Sequence, residues 1–283
     1  MPDTVLLRLE HVSKRFGAVQ ALTEVDFEVS AGEVVALVGD NGAGKSTLIK
    51  LISGIFKADS GRFEFDGSER SVTSPSDATD LGIATVYQDL ALCDNLDVVA
   101  NLYLGHERIG GSRFLDETDM ERDASGLLQR LSVSIPSVRT PVASLSGGQR
   151  QSVAVAKATM GQPKLVILDE PTAALGVPQT RQVLALIRRL RDSGLGVVVI
   201  SHNLVDVFAV ADRIIVMRLG RRVATYDAAT SNADQVVAAM TGANLAEVDQ
   251  AMGRPSEDQP ASDGASDGAS DAGSDGGSTG GTP

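Results

Sequence analysis

The chain has no tryptophan, a single cysteine and no long run of apolar residues. Without a second cysteine no disulfide can form within the chain, so Cys93 is expected to be a small packed residue. No run of about 18 apolar residues occurs, which argues against a membrane-spanning helix. Residues 1–30 lack the apolar core of a secretory signal. There is also no basic patch with interleaved aromatics, so no nucleic-acid partner is expected.

The negative charge is concentrated at the C-terminal end. The net charge is −12, and residues 246–283 contribute −7 of it, from eight acidic residues and one basic residue. This segment is rich in Ala, Ser, Asp and Gly, so it cannot bury enough apolar surface to offset the entropy lost on ordering. We expect residues 246–283 to be a disordered acidic tail and residues 1–245 to form the folded domain.

A glycine-rich segment lies between two apolar stretches. Residues 33–38 predict a buried strand, and residues 47–52 predict the first turns of a helix. Such a turn directs backbone N–H groups and a helix N-terminus into one hollow, which binds phosphate. Lys45 is predicted to reach the β- and γ-phosphates of a nucleotide, and the Ser46 hydroxyl to bind Mg²⁺. The predicted nucleotide-binding residues are Gly39, Asp40, Asn41, Gly42, Ala43, Gly44, Lys45, Ser46 and Thr47.

Two consecutive carboxylates follow a second apolar strand, residues 165–168. Ligands of open α/β sheets bind at the C-terminal ends of the strands, where Asp169 and Glu170 lie. Asp169 is suited to hold Mg²⁺ through its waters, because magnesium retains much of its hydration shell. Glu170 is suited to polarise an attacking water as a general base. Together with the phosphate loop, this pair predicts nucleotide hydrolysis.

The remaining patterns predict secondary structure. Residues 5–30 and 61–66 alternate apolar and polar side chains, which is typical of half-exposed antiparallel strands. Residues 177–193 have the spacing of an amphipathic helix, and residues 213–227 predict a hairpin that turns at Gly220. Residues 89–160 lack strand patterning and contain polar helix-like stretches. The fold class predicted is therefore α/β.

Further motifs occur in an order that resembles a known family. They are Phe16 after Lys-Arg, Gln88 in Val-Tyr-Gln-Asp, Leu-Ser-Gly-Gly-Gln at 145–149, and His202 after an apolar strand. With the two elements above, they make residues 5 to about 245 similar to the nucleotide-binding subunit of ABC transporters. The resemblance implies that Phe16 stacks on adenine and that Gln88 contacts Mg²⁺ and the attacking water. It also implies that His202 contacts the γ-phosphate.

The same resemblance implies an architecture and a set of partners. The fold would be a P-loop NTPase core with an antiparallel β subdomain and an α-helical subdomain, about 89–160, that carries the signature. Two copies would form a head-to-tail homodimer around ATP and Mg²⁺. Each ATP would be held by one phosphate loop and by signature residues of the other copy. Those residues are Ser146, Gly147, Gly148 and Gln149.

Two segments resemble the sugar-importer branch of this family. Gly176 stands where much of the family has an Asp at the dimer interface, and residues 177–180 follow it as Val-Pro-Gln-Thr. Residues 94–107 resemble ATPases that import ribose, xylose or fructose. The implied partners are integral membrane permease subunits and, indirectly, a sugar-binding protein. The protein would then be cytoplasmic and peripheral on the inner face of the membrane. Tyr103 and Leu104 are candidates for the permease contact, with packing inside the helical subdomain as the alternative.

Two other functions remain open from the sequence. One is a non-transport ABC ATPase of translation or repair. Translation types usually carry two such domains, however, and repair types insert a long coiled coil between phosphate loop and signature. The other is an ATP-gated binding module, which usually lacks the catalytic carboxylate, whereas Glu170 is present.

Overall fold

The computed structural model describes residues 4–111 and 114–243. The tail predicted at 246–283 lies outside the described residues. The described chain forms two β-sheets with helices around them, as the predicted α/β class requires. None of the described helices has the length and apolar character needed to cross a membrane.

The first sheet is antiparallel and has four strands in the order β2-β1-β4-β5. Alternate side chains of its long strands are buried, among them Val25, Phe27 and Val29. The antiparallel strands predicted for residues 5–30 and 61–66 are thereby confirmed. The strand bounds are β1 Val5–Phe16, β2 Val19–Ser30, β4 Ser60–Phe65 and β5 Ser68–Glu69.

The second sheet has six strands in the order β10-β9-β3-β8-β7-β6. The pairs from β9 to β6 are parallel, while β9 and β10 form the antiparallel hairpin predicted at 213–227. Strands β3 and β8 are buried along their whole length, as a parallel sheet covered on both faces requires. The strand bounds are β3 Val34–Val38, β6 Ile83–Val86, β7 Leu165–Asp169, β8 Gly196–Ile200, β9 Arg213–Arg218 and β10 Arg221–Asp227.

Eight α-helices occur in the described residues. Their bounds are α1 Lys45–Ile52, α2 Pro75–Leu81, α3 Val98–Tyr103, α4 Glu117–Arg130, α5 Gly147–Thr159, α6 Val177–Asp192, α7 Leu204–Val210 and α8 Ala233–Thr241. Helix α6 confirms the amphipathic helix predicted at 177–193, because Val183, Leu184, Ile187 and Leu190 are buried on one face. Pro178 lies in its first turn, where a missing N–H costs no helical bond.

Helices α3 to α5 build a core of their own beside the second sheet. It includes Leu102, Met120, Leu128 and Val153, and it also buries Leu145 at the start of the signature. Helix α5 belongs to both cores, because Ala154 and Val155, on its other face, pack with the residues of the sheet. The signature is therefore fixed at the joint between the two packing units.

A fully buried asparagine closes the loop before α3. The Asn101 amide oxygen accepts a hydrogen bond from the Cys93 backbone N–H at 2.7 Å. Its amide nitrogen donates to the carbonyls of Cys93, Leu96 and Asp97. One side chain thus satisfies several backbone groups of this loop, which also bonds to residues 141–143. Cys93 is only partly buried.

Of the two candidate contact residues in α3 and its C-terminus, only one is exposed. Tyr103 is 3 % exposed and packs in the helical core, which is the alternative kept open for it. Leu104 is 42 % exposed. Tyr103 shares a face with Val99, and both are buried where α3 packs on α4 and α5.

Replacing Asn101 by Ala should lower the free energy of unfolding by about 2–3 kcal/mol, because buried loop groups lose their partners. Urea denaturation with the slope held in common measures the change. Asn95→Ala, at an exposed position of the same loop, should alter stability by less than about 0.5 kcal/mol. Equal effects of the two changes would contradict the role assigned to Asn101.

Candidate functional site

Four adjacent parallel strands end at one edge of the second sheet, and a predicted site segment follows each of them. The phosphate loop follows β3, His202 follows β8, Glu170 follows β7 and Gln88 follows β6. Because these strands run side by side in the order β3-β8-β7-β6, their C-terminal ends share that edge. Segments that are distant in sequence are therefore placed next to one another.

The phosphate loop requires glycine at specific points. A Cβ atom at Gly39 would lie 2.2 Å from the carbonyl oxygen of Met217 in the neighbouring strand. Gly44 precedes the first residue of α1 with a φ of 102°, a left-handed conformation that side chains disfavour. With no side chain at either point, the loop approaches the sheet closely and leads directly into the N-terminus of α1. The residues present thus form the cradle that a polyphosphate requires.

Lys45 lies across this loop. Its ammonium group donates hydrogen bonds to the backbone carbonyls of Gly39 and Asp40, the second at 3.0 Å. Burial lowers the pKa of Lys45, and the nearby charges of Glu170, Asp40 and Asp169 oppose that shift. The Lys45 ammonium group is therefore partly desolvated. Among the residues that the structure describes, no carboxylate forms an ion pair with it. It is thus available to contact an anion.

A cleft of about 390 Å³ runs beside the loop. Its lining includes residues 40–47 and five residues that were not predicted from the sequence, namely Val19, Gln20, Ala21, Leu219 and Gly220. Residues 19–21 begin β2, and Leu219 and Gly220 form the turn of the β9–β10 hairpin. The sequence predicted this hairpin but gave no signal that its turn reaches the loop.

Phe16 is placed near this cleft and is 41 % exposed. It pairs in the sheet with Val19, which lines the cleft. The Phe16 ring meets Phe56 edge to face with centroids 5.0 Å apart, and the Lys14 ammonium lies 5.5 Å from the Phe16 centroid. A held and partly exposed ring next to the cleft suits stacking against a planar base.

The two carboxylates differ in their surroundings. Asp169 ends β7, and burial raises its pKa, with repulsion from Glu170 as the next cause. Glu170 turns out of the strand at a φ of 50°, while its N–H still donates to the Ile200 carbonyl. Its carboxylate lies 2.9 Å from Nδ1 of His202. The His202 side chain is otherwise 74 % exposed, so this pair stands at the open edge.

The donor set fits magnesium. The described residues contain no cluster of three or more His, Cys, Asp or Glu side chains that could hold a metal ion. Magnesium bound to substrate phosphates needs only one or two protein groups, because it retains several waters. Ser46, exposed in the first turn of α1, and Asp169, at the same sheet edge, provide such a pair. Gln88 is also exposed at this edge, after β6.

The signature lies elsewhere on the chain. Ser146 caps α5, accepting from the N–H of Gln149, whose side chain accepts from the N–H of Ser146. A Cβ at Gly148 would lie 2.7 Å from that of Gln179, and one at Gly147 would lie 3.0 Å from Leu175. None of residues 145–149 is among those that line the cleft beside the phosphate loop. A single chain therefore presents the phosphate loop and the signature on different parts of its surface.

Two further contacts lie next to the site, and no pattern in the sequence predicts them. The Thr172 hydroxyl donates to the buried carboxylate of Asp206 at 2.7 Å, which ties the segment after Glu170 to α7. Gln179 packs on Gly148, which ties the start of α6 to the signature. Both contacts join residues far apart in sequence, so periodicity and motif spacing could not find them.

Comparison with known proteins adds independent evidence. A family model described as ABC transporter matches residues 22–173. The chain is 46 % identical to a xylose/arabinose import ATP-binding protein of Sulfolobus acidocaldarius and 45 % identical to a fructose import ATP-binding protein of Rhizobium meliloti. Each match covers 86 % of this chain and 96 % of the relative. A ribose import ATP-binding protein of Burkholderia ambifaria is 42 % identical, and the match covers 48 % of that longer protein.

Solved structures agree with the fold. A nucleotide-free ATP-binding cassette from an ABC transporter superposes with a TM-score of 0.72 at 26 % identity. The ADP conformation of such a cassette gives the same TM-score and identity. In both comparisons the match covers 86 % of this chain and 98 % of the other. The fold predicted from the sequence is confirmed by these neighbours.

Replacing Asp169 by Asn should stabilise the free protein at pH 7.5. Because the folded state raises the pKa of this carboxyl, stability is full below the ordinary pKa and is lost as pH rises through the raised one. Asparagine removes that loss, which we place at up to about 1 kcal/mol, or about 2–4 °C in Tm.

Thermal unfolding without nucleotide at pH 7.5 and at about pH 4, near the ordinary pKa of an aspartate, measures the effect. The gain in Tm caused by Asp169→Asn should be smaller at the lower pH. Asp80→Asn, at an exposed position of α2, serves as the matched control. A gain that is equal at both pH values would show that the charge of Asp169 is not its cause.

Proposed function

Because this chain belongs to the family of ABC transporter ATP-binding proteins, we propose that it is the motor subunit of an importer for a monosaccharide. The chain is an ATPase that binds nucleotide, as the members of this family are. The transported solute is a pentose or hexose in the proposal, and transport itself is carried out by separate permease subunits.

One observation carries the sugar assignment. The relatives matched over 96 % of their length are named for import of xylose/arabinose and of fructose. A third, matched over 48 % of its length, is named for ribose. In the proposal the permease and a separate binding protein select the sugar, and this chain supplies the motor. The non-transport ATPase is the alternative that the experiment below addresses.

The binding roles follow from the geometry of the cleft. Lys45 and the N–H groups of the loop 39–47 bind the triphosphate of ATP, and Phe16 stacks on its base. Ser46, Asp169 and Gln88 would hold the magnesium ion. When bound, Mg²⁺ neutralises charge on the β- and γ-phosphates. Because Lys45 is partly desolvated, its attraction to phosphate is less screened than that of a surface lysine.

Glu170 is the proposed general base. It accepts a proton from the attacking water as the water's oxygen bonds to the γ-phosphorus and the bond to the ADP oxygen breaks. His202 contacts the γ-phosphate, and its position 2.9 Å from the Glu170 carboxylate also holds that carboxylate at the open sheet edge. The φ of 50° at Glu170 turns its side chain away from the direction that the strand would give it.

The separation of the two phosphate-binding elements supports a head-to-tail homodimer. Ser146 is exposed at the start of α5, Gly147 and Gln149 are half-buried and Gly148 is buried, and all four lie away from the chain's own phosphate loop. A second copy in the opposite orientation brings its signature over this loop, so each ATP contacts both chains. ATP then joins the copies, and hydrolysis releases them.

A groove between the helical segment and the second sheet is the proposed permease contact. It has a volume of about 440 Å³ and is lined by Ile83 and Ala84 of β6 and by Leu104 after α3. Strand β6 leads from this groove to Gln88. A permease segment in the groove therefore lies at one end of a strand whose other end reaches the magnesium site. By this contact the protein is peripheral on the cytoplasmic face of the membrane, and the sugar-binding protein acts through the permease.

Replacing Glu170 by Gln should reduce ATP hydrolysis at least ~100-fold, because the amide cannot accept the proton from water. ATP binding should be retained, and ATP-bound dimers should accumulate in size-exclusion chromatography. Asp80→Asn provides the control for expression and handling. Hydrolysis near the wild-type rate in E170Q would remove Glu170 from the mechanism.

Reconstitution tests the importer. With a permease encoded beside this chain in proteoliposomes, the ATPase rate should rise several-fold when a sugar-loaded binding protein is added. Leu104→Glu should abolish the rise, while Val205→Glu, at a more exposed apolar position on α7, should preserve it. An ATPase rate that ignores permease and binding protein but responds to ribosomes or DNA would establish the non-transport alternative.

A further inference from the structure

A cavity of about 300 Å³ lies beside the signature, whose last residue, Gln149, lines it. It is enclosed by α6, by α5 and by the turn at residues 132–134 that follows α4. The α6 residues that line it recur at positions 181, 182, 185, 186 and 189, which is one stripe of a helix. The cavity is separate from the cleft beside the phosphate loop and shares no lining residue with it.

The lining is cationic and rich in hydrogen-bond donors. It contains two arginines, Arg181 and Arg189, and no acidic side chain. The turn and α5 add the hydroxyls of Ser132, Ser134 and Ser152. Two cations that share a cavity repel each other unless an anion or solvent lies between them. The chemistry of this lining therefore matches a small anion that also carries hydroxyl groups.

Arg181 and Arg189 differ from the neighbouring arginines of α6 in their ion-pair and hydrogen-bond partners. Arg191 forms ion pairs with Asp192 and Asp212, and Arg188 donates to the carbonyl of Ala209. Among the residues that the structure describes, no carboxylate lies within 4 Å of Arg181 or Arg189. The Nε of Arg189 is shielded from solvent and has no hydrogen-bond acceptor in this part of the chain. A buried donor without an acceptor is unfavourable, and a bound acceptor would offset that cost.

We propose that this cavity binds a phosphate monoester with a short hydroxylated body, held by Arg181 and Arg189. A guanidinium group binds phosphate oxygens through paired, charge-assisted hydrogen bonds. The serine hydroxyls and the amide of Gln182 bind the hydroxylated part. This site is independent of the solute that the importer carries.

A ligand bound in the cavity would affect the signature through one residue, Gln149. Gln149 lines the cavity, and its side chain also donates to the Ser134 carbonyl at 3.2 Å and accepts from the Ser146 N–H at 3.0 Å. A ligand that bridges α6 and the turn at 132–134 therefore restrains both neighbours of the signature start. The bound state should be more rigid at the joint between the two cores.

Calorimetric titration of inorganic phosphate and of glycerol 3-phosphate tests the site. The background is Lys45→Ala, which disables the phosphate loop as a competing anion site. We expect one site per chain, tighter binding of glycerol 3-phosphate than of phosphate, and no binding of glycerol. Arg181→Gln and Arg189→Gln should each weaken binding at least about ten-fold.

Arg188→Gln is the matched control, because Arg188 lies on α6 next to Arg189 but does not line the cavity. It should bind like the background protein. Arg181 is exposed, so R181Q keeps the test valid if R189Q fails to fold. Absence of binding in the Lys45→Ala background, or equal affinity in all three arginine variants, would overturn the proposal. If glycerol 3-phosphate binds no more tightly than phosphate, the proposal that the ligand has a hydroxylated body would be overturned.

Discussion

The parallel pairing of β3, β8 and β7 is the constraint on which the candidate site depends. Each strand is buried almost throughout, so its register is fixed by packing on both faces, and a slip would place polar residues in the core. The register pairs Leu37 with Ile200 and Ile200 with Asp169. The phosphate loop, His202 and the carboxylates therefore leave the sheet at the same height. Their proximity is a property of the sheet, and the contact between Glu170 and His202 follows from it.

The electrostatics of the site follow from that proximity. Asp169 and Glu170 are adjacent in sequence and are brought near the cation Lys45 across the sheet edge. The free protein thus holds a carboxylate whose charge it disfavours, next to a partly desolvated lysine. Such an arrangement reduces the stability of the empty site and favours a ligand that supplies both phosphate and a divalent cation. Stability and function oppose each other at Asp169.

Much of this was predictable from sequence, because it rests on local patterns. Alternation predicted β2, an apolar run predicted β3, and helical spacing predicted α6. The glycines at 39 and 44 could be interpreted from their motif alone. Asn101 could not be identified, since its role depends on its complete burial and on a loop that folds back onto it. The position of Leu219 in the cleft could not be predicted either, because the sequence of a hairpin turn does not show which cleft the turn will line. Tyr103 shows the same limit, since its burial depends on how α3 packs on α4 and α5.

The order of strands in the second sheet also has a consequence for how the chain is made. Strand β3 leaves the ribosome early, yet its two neighbours are β8 and β9, which begin at Gly196 and Arg213. A nascent chain that ends before residue 196 already contains the whole phosphate-binding motif but no strand to pair with β3 on either side. The hairpin β1–β2 and the helical core can form before then. Competence to hold nucleotide therefore arises late in synthesis, and until then an apolar strand edge is exposed to misassociation.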